Sequence, residues 1–139
     1  MLKNWVCAAI GILGAAISKA FGGWDSALTT LVIFMGIDYV TGLVVAGVFH
    51  NSKKSDSGGL ESGYCLRGLL RKGVMLLVVL VACRLDLLVG TTYMRDAAVI
   101  AFCSNELLSV VENAGLMGVP MPKNIVDAID ILKKGVDGE

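Results

Sequence analysis

Residues 34–47 read FMGIDYVTGLVVAG, a run apolar enough for a lipid bilayer except for the carboxylate of Asp38 in its middle. A charge at the bilayer centre costs roughly 2.5–3.5 kcal/mol on insertion scales, so such a group faces protein or water rather than lipid. The segment around it, 27–49, is long enough as a helix to cross a ~30 Å hydrocarbon core. On that helix Thr41, Gly42 and Ala46 follow Asp38 at i+3, i+4 and i+8. A small-residue ridge beside a carboxylate and a hydroxyl is a face made for a protein neighbour.

The rest of the chain agrees with a membrane class. Its 139 residues suffice for a single domain spanning 1–139. They are 55% hydrophobic and only 17% charged, with a mean hydropathy of +0.74. A soluble protein of this size could not bury so much apolar surface. Twelve basic and twelve acidic residues cancel, so no net field directs the chain to nucleic acid. Cys7, Cys65, Cys83 and Cys103 lack any CxxC spacing and read as small hydrophobes. The lone His50 lies in a polar loop with Ser52 and Asp56. No metal site, cofactor or enzymatic motif is expected.

Four apolar helices are expected, at about 5–19, 27–49, 73–90 and 97–117, with a polar loop at 50–63 and an amphipathic tail helix at 122–134. The first is short for a span: WVCAAIGILGAAIS (5–18) extends only ~21 Å as a helix, against a ~30 Å core. Ser18-Lys19-Ala20 also resembles a leader cleavage site, while Cys7, Gly11, Ala15 and Ser18 form a ridge suited to close helix packing. YCLRGLLRK (64–72) reads as a basic lead-in on the membrane surface before the third apolar helix, which holds Arg84 and Asp86. In the fourth, Asn105, Glu106, Ser109, Glu112 and Asn113 cover about 120° of circumference. That stripe is expected to turn towards other helices or a water path, the alternative being the emerging end of the helix. The tail repeats Ile125, Ile129, Leu132 and Val136, with Pro122 in its first turn.

Basic residues set the orientation. Lys53, Lys54, Arg67, Arg71 and Lys72 place the 50–72 region in the cytoplasm, and Lys123, Lys133 and Lys134 place the C-terminal tail there too. The acids Asp38, Asp86, Glu106 and Glu112 outnumber Arg84 within the apolar segments. One chain is not expected to pair them all, which suggests several subunits around a wet opening.

The segments IDYVTGLVVA (37–46), SGYCLRGLLRK (62–72), LD (85–86) and NELLSVVENAGLMGVPMPKNIVDAIDILKK (105–134) occur in this order. In these the chain resembles the bacteriophage holin family that includes the clostridial toxin-secretion holins, from about residue 24 to the tail helix. The apolar segments themselves predict an all-α, multi-pass protein with three or four spans; the resemblance implies a small integral protein of the bacterial inner membrane that forms homo-oligomers and opens the bilayer. An endolysin or a toxin then passes, under the restraint of an antiholin where one exists. Asp38, Gly42, Glu106, Glu112 and Asn113 coincide with family positions, while the first 23 residues and Arg84 lie outside the match. An antiholin, a small oligomeric ion channel or transport subunit, and a membrane anchor for a partner enzyme are the rival functions.

Overall fold

The computed structural model describes residues 1–137, which form five α-helices and no strand among the described residues. They are α1 (Leu2–Ala20), α2 (Ser26–Gly47), α3 (Ser62–Val89), α4 (Met94–Leu116) and α5 (Lys123–Asp137). The basic stretch at 64–72 is not a separate surface helix, because α3 runs through it without a break for 28 residues. Pro122 immediately precedes α5, and its carbonyl accepts the N–H groups of Ile125 and Val126, closing the first turn of the helix.

The helices meet along faces with a heptad-like spacing. In α2 the buried row is Leu28, Leu31, Met35, Asp38, Gly42 and Val45, alternating steps of three and four, with Ala46 buried beside its last member. In α3 the inward row is Lys72, Met75, Val79, Cys83 and Asp86. In α4 it is Arg95, Val99, Glu106 and Asn113, with half-buried Phe102 and Ser109 filling the register. A 3–4 repeat keeps one seam facing its partner over several turns. α2 packs mainly on α4, and α3 on α4. Because Arg95 in the first turn of α4 reaches the N-cap of α2, and Asn113 near its end reaches Asp38, α2 and α4 run in the same direction. α3 runs against both.

The bundle is layered along its axis. Leu28, Leu31, Met35, Met75, Val79 and Val99 form an apolar layer, sealed by Phe21, Leu76 and Phe102. Beyond that layer, towards the short turns, the links 21–25 and 90–93 are tied together by polar groups. Asp25 caps α2 by accepting the Leu28 N–H at 3.0 Å. Asp86 accepts Thr91 Oγ1 at 2.6 Å and the N–H groups of Met94 and Arg95 at 3.1 and 2.9 Å, closing the α3–α4 turn. That turn passes through Gly90 at φ 78°, a left-handed conformation natural to glycine. At the other end the loop 48–61 folds on itself, with Ser55 Oγ donating to the Gly59 carbonyl, and Asn51 reaching the Leu116 carbonyl.

The outside is apolar. Val40 on α2 and Leu66, Leu70, Leu77 and Leu88 on α3 are all more than 55% exposed, which suits a lipid environment and would be a liability in water. α2 and α4 are long and apolar enough to cross a membrane. α1 has no buried residue, and Trp5, Ile10 and Ile12 stand in the open. On α5 Ile129 is buried, while Ile125 and Ile131 are exposed. The expectations for the side chains of Leu132, Lys133 and Val136 lie outside the described residues.

Candidate functional site: a charged layer at mid-depth

Each of the three packed helices contributes one charged side chain to a single layer next to the apolar one. Asp38 and Glu106 both lie twelve residues into their helices, about 18 Å from the short-turn end at 1.5 Å per residue. Lys72 of α3 fills the space between them. Its Nζ donates to Asp38 Oδ2 at 2.6 Å and to Glu106 Oε2 at 2.5 Å. The three side chains are only 12%, 10% and 4% exposed, so the contacts are shielded from solvent and from ionic screening.

Asn113 completes the layer from one side. Its Nδ2 donates to Asp38 Oδ1 at 3.1 Å, the Asp38 carbonyl at 3.3 Å and Thr41 Oγ1 at 2.9 Å. Thr41 in turn donates to the Ile37 and Asp38 carbonyls. Gly42 is buried, and a Cβ there would lie 2.9 Å from the Tyr64 hydroxyl, so glycine permits α2 and α3 to approach. A cavity of about 70 Å³ adjoins the layer, lined by Tyr39, Tyr64, Arg71, Asn105 and Ser109 besides the ions. That is larger than the ~30 Å³ share of one water molecule. A larger cavity, about 500 Å³, lies under the loop between Lys53, Lys54, Glu112 and Asn113. Lys54 borders both.

A second polar knot ties the short turns. Arg95, a buried residue, donates Nε to the Phe21 carbonyl at 2.8 Å and Nη2 to the Gly23 carbonyl at 3.2 Å. Its guanidinium also pairs with Asp25 at 2.9 and 3.2 Å, and Nη1 reaches Asp96. The hydrogen bond from Arg95, supported by the Leu28 N–H, holds the Asp25 carboxyl below the ordinary range.

The sequence-derived residues therefore divide. Asp38, Thr41, Glu106, Ser109 and Asn113 converge on the layer, with Gly42 beside it, and Ala46 is buried farther along α2. Of the remaining stripe, Asn105 and Glu112 are exposed at cavity rims. Arg84 is exposed and does not enter the layer, and Asp86 is spent on the turn. Lys53, Lys54, Arg67 and Arg71 are exposed, as is Lys134 on α5. Lys72 differs from the expectation of a membrane-surface cation: it is the base of the buried layer. The anticipated shortage of partners within one chain is thereby lifted for Asp38 and Glu106. Arg95 was missed because it stands in what reads as a short link. An apolar helix beginning at residue 73 leaves Lys72 outside it; α3 begins at Ser62, and the row 72, 75, 79, 83 and 86 puts Lys72 on the inward face.

A charged layer inside a bundle with an apolar exterior is the geometry of an intramembrane polar site. The model of the bacteriophage holin family matches residues 15–134. The chain belongs to that family. The match starts within α1, earlier than the motifs quoted above. A Bacillus phage phi105 protein named as a probable holin is 29% identical over 111 residues, covering 79% of this chain and 76% of its own. An uncharacterized protein of Halalkalibacterium halodurans is 37% identical over 138 residues, 95% and 94% of the two chains. An uncharacterized 14.9 kDa protein of Clostridium perfringens, from the nagH 3′ region, is 36% identical over 128 residues, 91% of each. No solved structure matches the chain. Family membership and the two long apolar helices mark a membrane protein, and point away from an enzyme.

Proposed function

We propose that this chain acts as a holin: it accumulates in the bacterial cytoplasmic membrane, assembles with copies of itself and opens the bilayer to an endolysin or a toxin. The observation that carries this reading is the Lys72–Asp38–Glu106 layer held inside an apolar-surfaced bundle of a holin-family chain. A static membrane anchor gains nothing from ions at that depth, since apolar packing of the same volume is commonly as stable or more so. A protein that must present polar groups when its helices rearrange does gain from them.

In this reading α1–α4 cross the bilayer, and α5 lies at the cytoplasmic surface with the loop 48–61. Lys53, Lys54 and Arg67 then sit on the inner side, as the positive-inside rule requires. Expression in a bacterium at verified membrane levels tests the function. The expected result is arrest of growth and collapse of membrane potential, with abrupt lysis when a cytoplasmic murein hydrolase is co-expressed. A retained potential would overturn the pore-forming role and leave that of an antiholin or an anchor.

A further inference from the structure

The two ends of α3 are held by different means. At the short-turn end Asp86 takes three hydrogen bonds from the α3–α4 turn and the start of α4. The core residues Val79 and Cys83 pack inward next to it. Towards the loop, the stretch Ser62–Arg71 contributes no buried residue. Its attachments there include the Tyr39 hydroxyl donating to the Cys65 carbonyl at 3.3 Å, the Tyr39 ring against Gly68, the close approach of Tyr64 to Gly42, and then Lys72. Lys72 is thus the strong polar tie of that half of the helix, about 15 Å in from Ser62.

The tie is unequal in charge. Two carboxylates, on α2 and α4, share one ammonium on α3. Drawing Lys72 out leaves two acids facing each other in a low-dielectric seam, a strongly unfavourable state unless water or another cation replaces the ammonium. The cavity beside the layer offers room for that water. The layer is therefore stable with Lys72 in place, or with the seam hydrated, and poor in between. Such an element has two arrangements rather than a continuum.

We propose that Lys72 is a latch, and that its withdrawal lets the loop-proximal half of α3 swing away from α2 and α4 about the Asp86 turn as a hinge. This deepens the holin reading, on which it rests for the meaning of the open state. The swing itself is measurable in isolated membranes without any lysis.

Single-cysteine reporters on the inward row of α3, in a background with the other cysteines replaced, read the motion through labelling by a water-soluble maleimide. The reporters are Met75→Cys, one turn from the latch, Val79→Cys, and the native Cys83 beside the hinge. Lys72→Met should accelerate labelling at position 75 about tenfold, less at 79, and leave Cys83 within about twofold of the parent. Asp38→Asn combined with Glu106→Gln, which keeps Lys72 but removes its charged acceptors, should give the same gradient. Lys72→Arg should keep all three protected. Unchanged labelling in both Lys72→Met and the Asp38→Asn/Glu106→Gln double variant would overturn the latch. Uniform acceleration at 75, 79 and 83 would overturn it too, since it reports unfolding and not a hinge. Failure of the parent protein to depolarise cells would sink the holin reading while leaving this gradient to stand or fall alone.

Discussion

Asn113 and Asp38, seventy-five residues apart in sequence, are joined twice: the Asn113 amide donates to the Asp38 carboxylate at 3.1 Å and to its backbone carbonyl at 3.3 Å. Both residues are buried. Removing one partner of a buried hydrogen bond leaves the other desolvated, at a cost of about 1–3 kcal/mol. Asn113→Ala should destabilise the folded bundle by that amount, and Asn113→Asp by more, since it puts a third carboxylate beside Asp38 and Glu106. Denaturant unfolding of the purified protein in micelles measures both. An unchanged midpoint for Asn113→Ala would mean that water already serves Asp38 there.

The helical, membrane-type fold was legible because length and hydropathy decide it: α2 and α4 are written as unbroken apolar segments with an inward small or polar row. The convergence of Asp38 with Glu106 and Asn113 was legible as two stripes, though not as one layer. What hid Lys72 was a boundary. A cluster such as Arg67, Arg71 and Lys72 signals the membrane surface on average, yet 100° of rotation separates Arg71 from Lys72. Arg71 is exposed and Lys72 turned inward. Arg95 was hidden for another reason. Its partners are the carbonyls of Phe21 and Gly23 and the Asp25 carboxylate. Backbone acceptors in a distant turn leave no trace in residue type.

Gly42 and Tyr64 give a prediction with an internal rescue. A methyl group at 42 would stand 2.9 Å from the Tyr64 hydroxyl and 3.8 Å from Asn113 Nδ2. Against that crowding, replacing a mid-helix glycine by alanine favours the helix by roughly 0.5–1 kcal/mol. Overpacking in a well-filled interior costs about 1–3 kcal/mol. Gly42→Ala should therefore be neutral to destabilising alone, and stabilising once Tyr64→Phe removes the obstructing oxygen. The double-mutant cycle in micelles isolates this coupling. Strict additivity would show that Tyr64 moves aside freely.

The Arg95 knot makes the short-turn end sensitive to acid. Asp25 has its carboxyl held low in the folded state, first by the Arg95 hydrogen bond and then by the Leu28 N–H. A depressed folded pKa contributes stability that is present above the unfolded value of about 3.9 and is lost as pH falls through the folded value. The 21–25 turn should therefore loosen below about pH 4. Fluorescence of Trp24, next in sequence to Asp25, reports it between pH 7 and 2, with Trp5 replaced. Asp25→Asn should flatten this acid limb. Arg95→Ala should weaken the turn at neutral pH more than Asp25→Asn does, because three further acceptors, the Phe21 and Gly23 carbonyls and Asp96, lose their donor together. An acid limb of unchanged depth in Asp25→Asn would assign the loosening to another carboxylate.

Topology follows from which groups share an end of the bundle. The loop 48–61 and the end of α4 are joined through Asn51 and Leu116, whereas the links 21–25 and 90–93 are joined through Arg95. α1 comprises 19 residues, about 28 Å, close to the ~30 Å core and longer than its uncharged part alone. If α1 crosses, Lys3 lies on the side of the loop, with Lys53 and Lys54. Cysteine reporters at Lys3, Ser57, Tyr93 and Lys134 in a cysteine-free background separate the possibilities in intact cells. An impermeant maleimide should label only Tyr93→Cys from outside, with the other three reacting after permeabilisation. External labelling of Lys3→Cys as well as Tyr93→Cys, with Ser57→Cys and Lys134→Cys still protected, would show that α1 does not cross and reduce the spans to three. External labelling of Ser57→Cys or Lys134→Cys would overturn the orientation, since it would put the loop cations or the tail on the wrong side of the membrane.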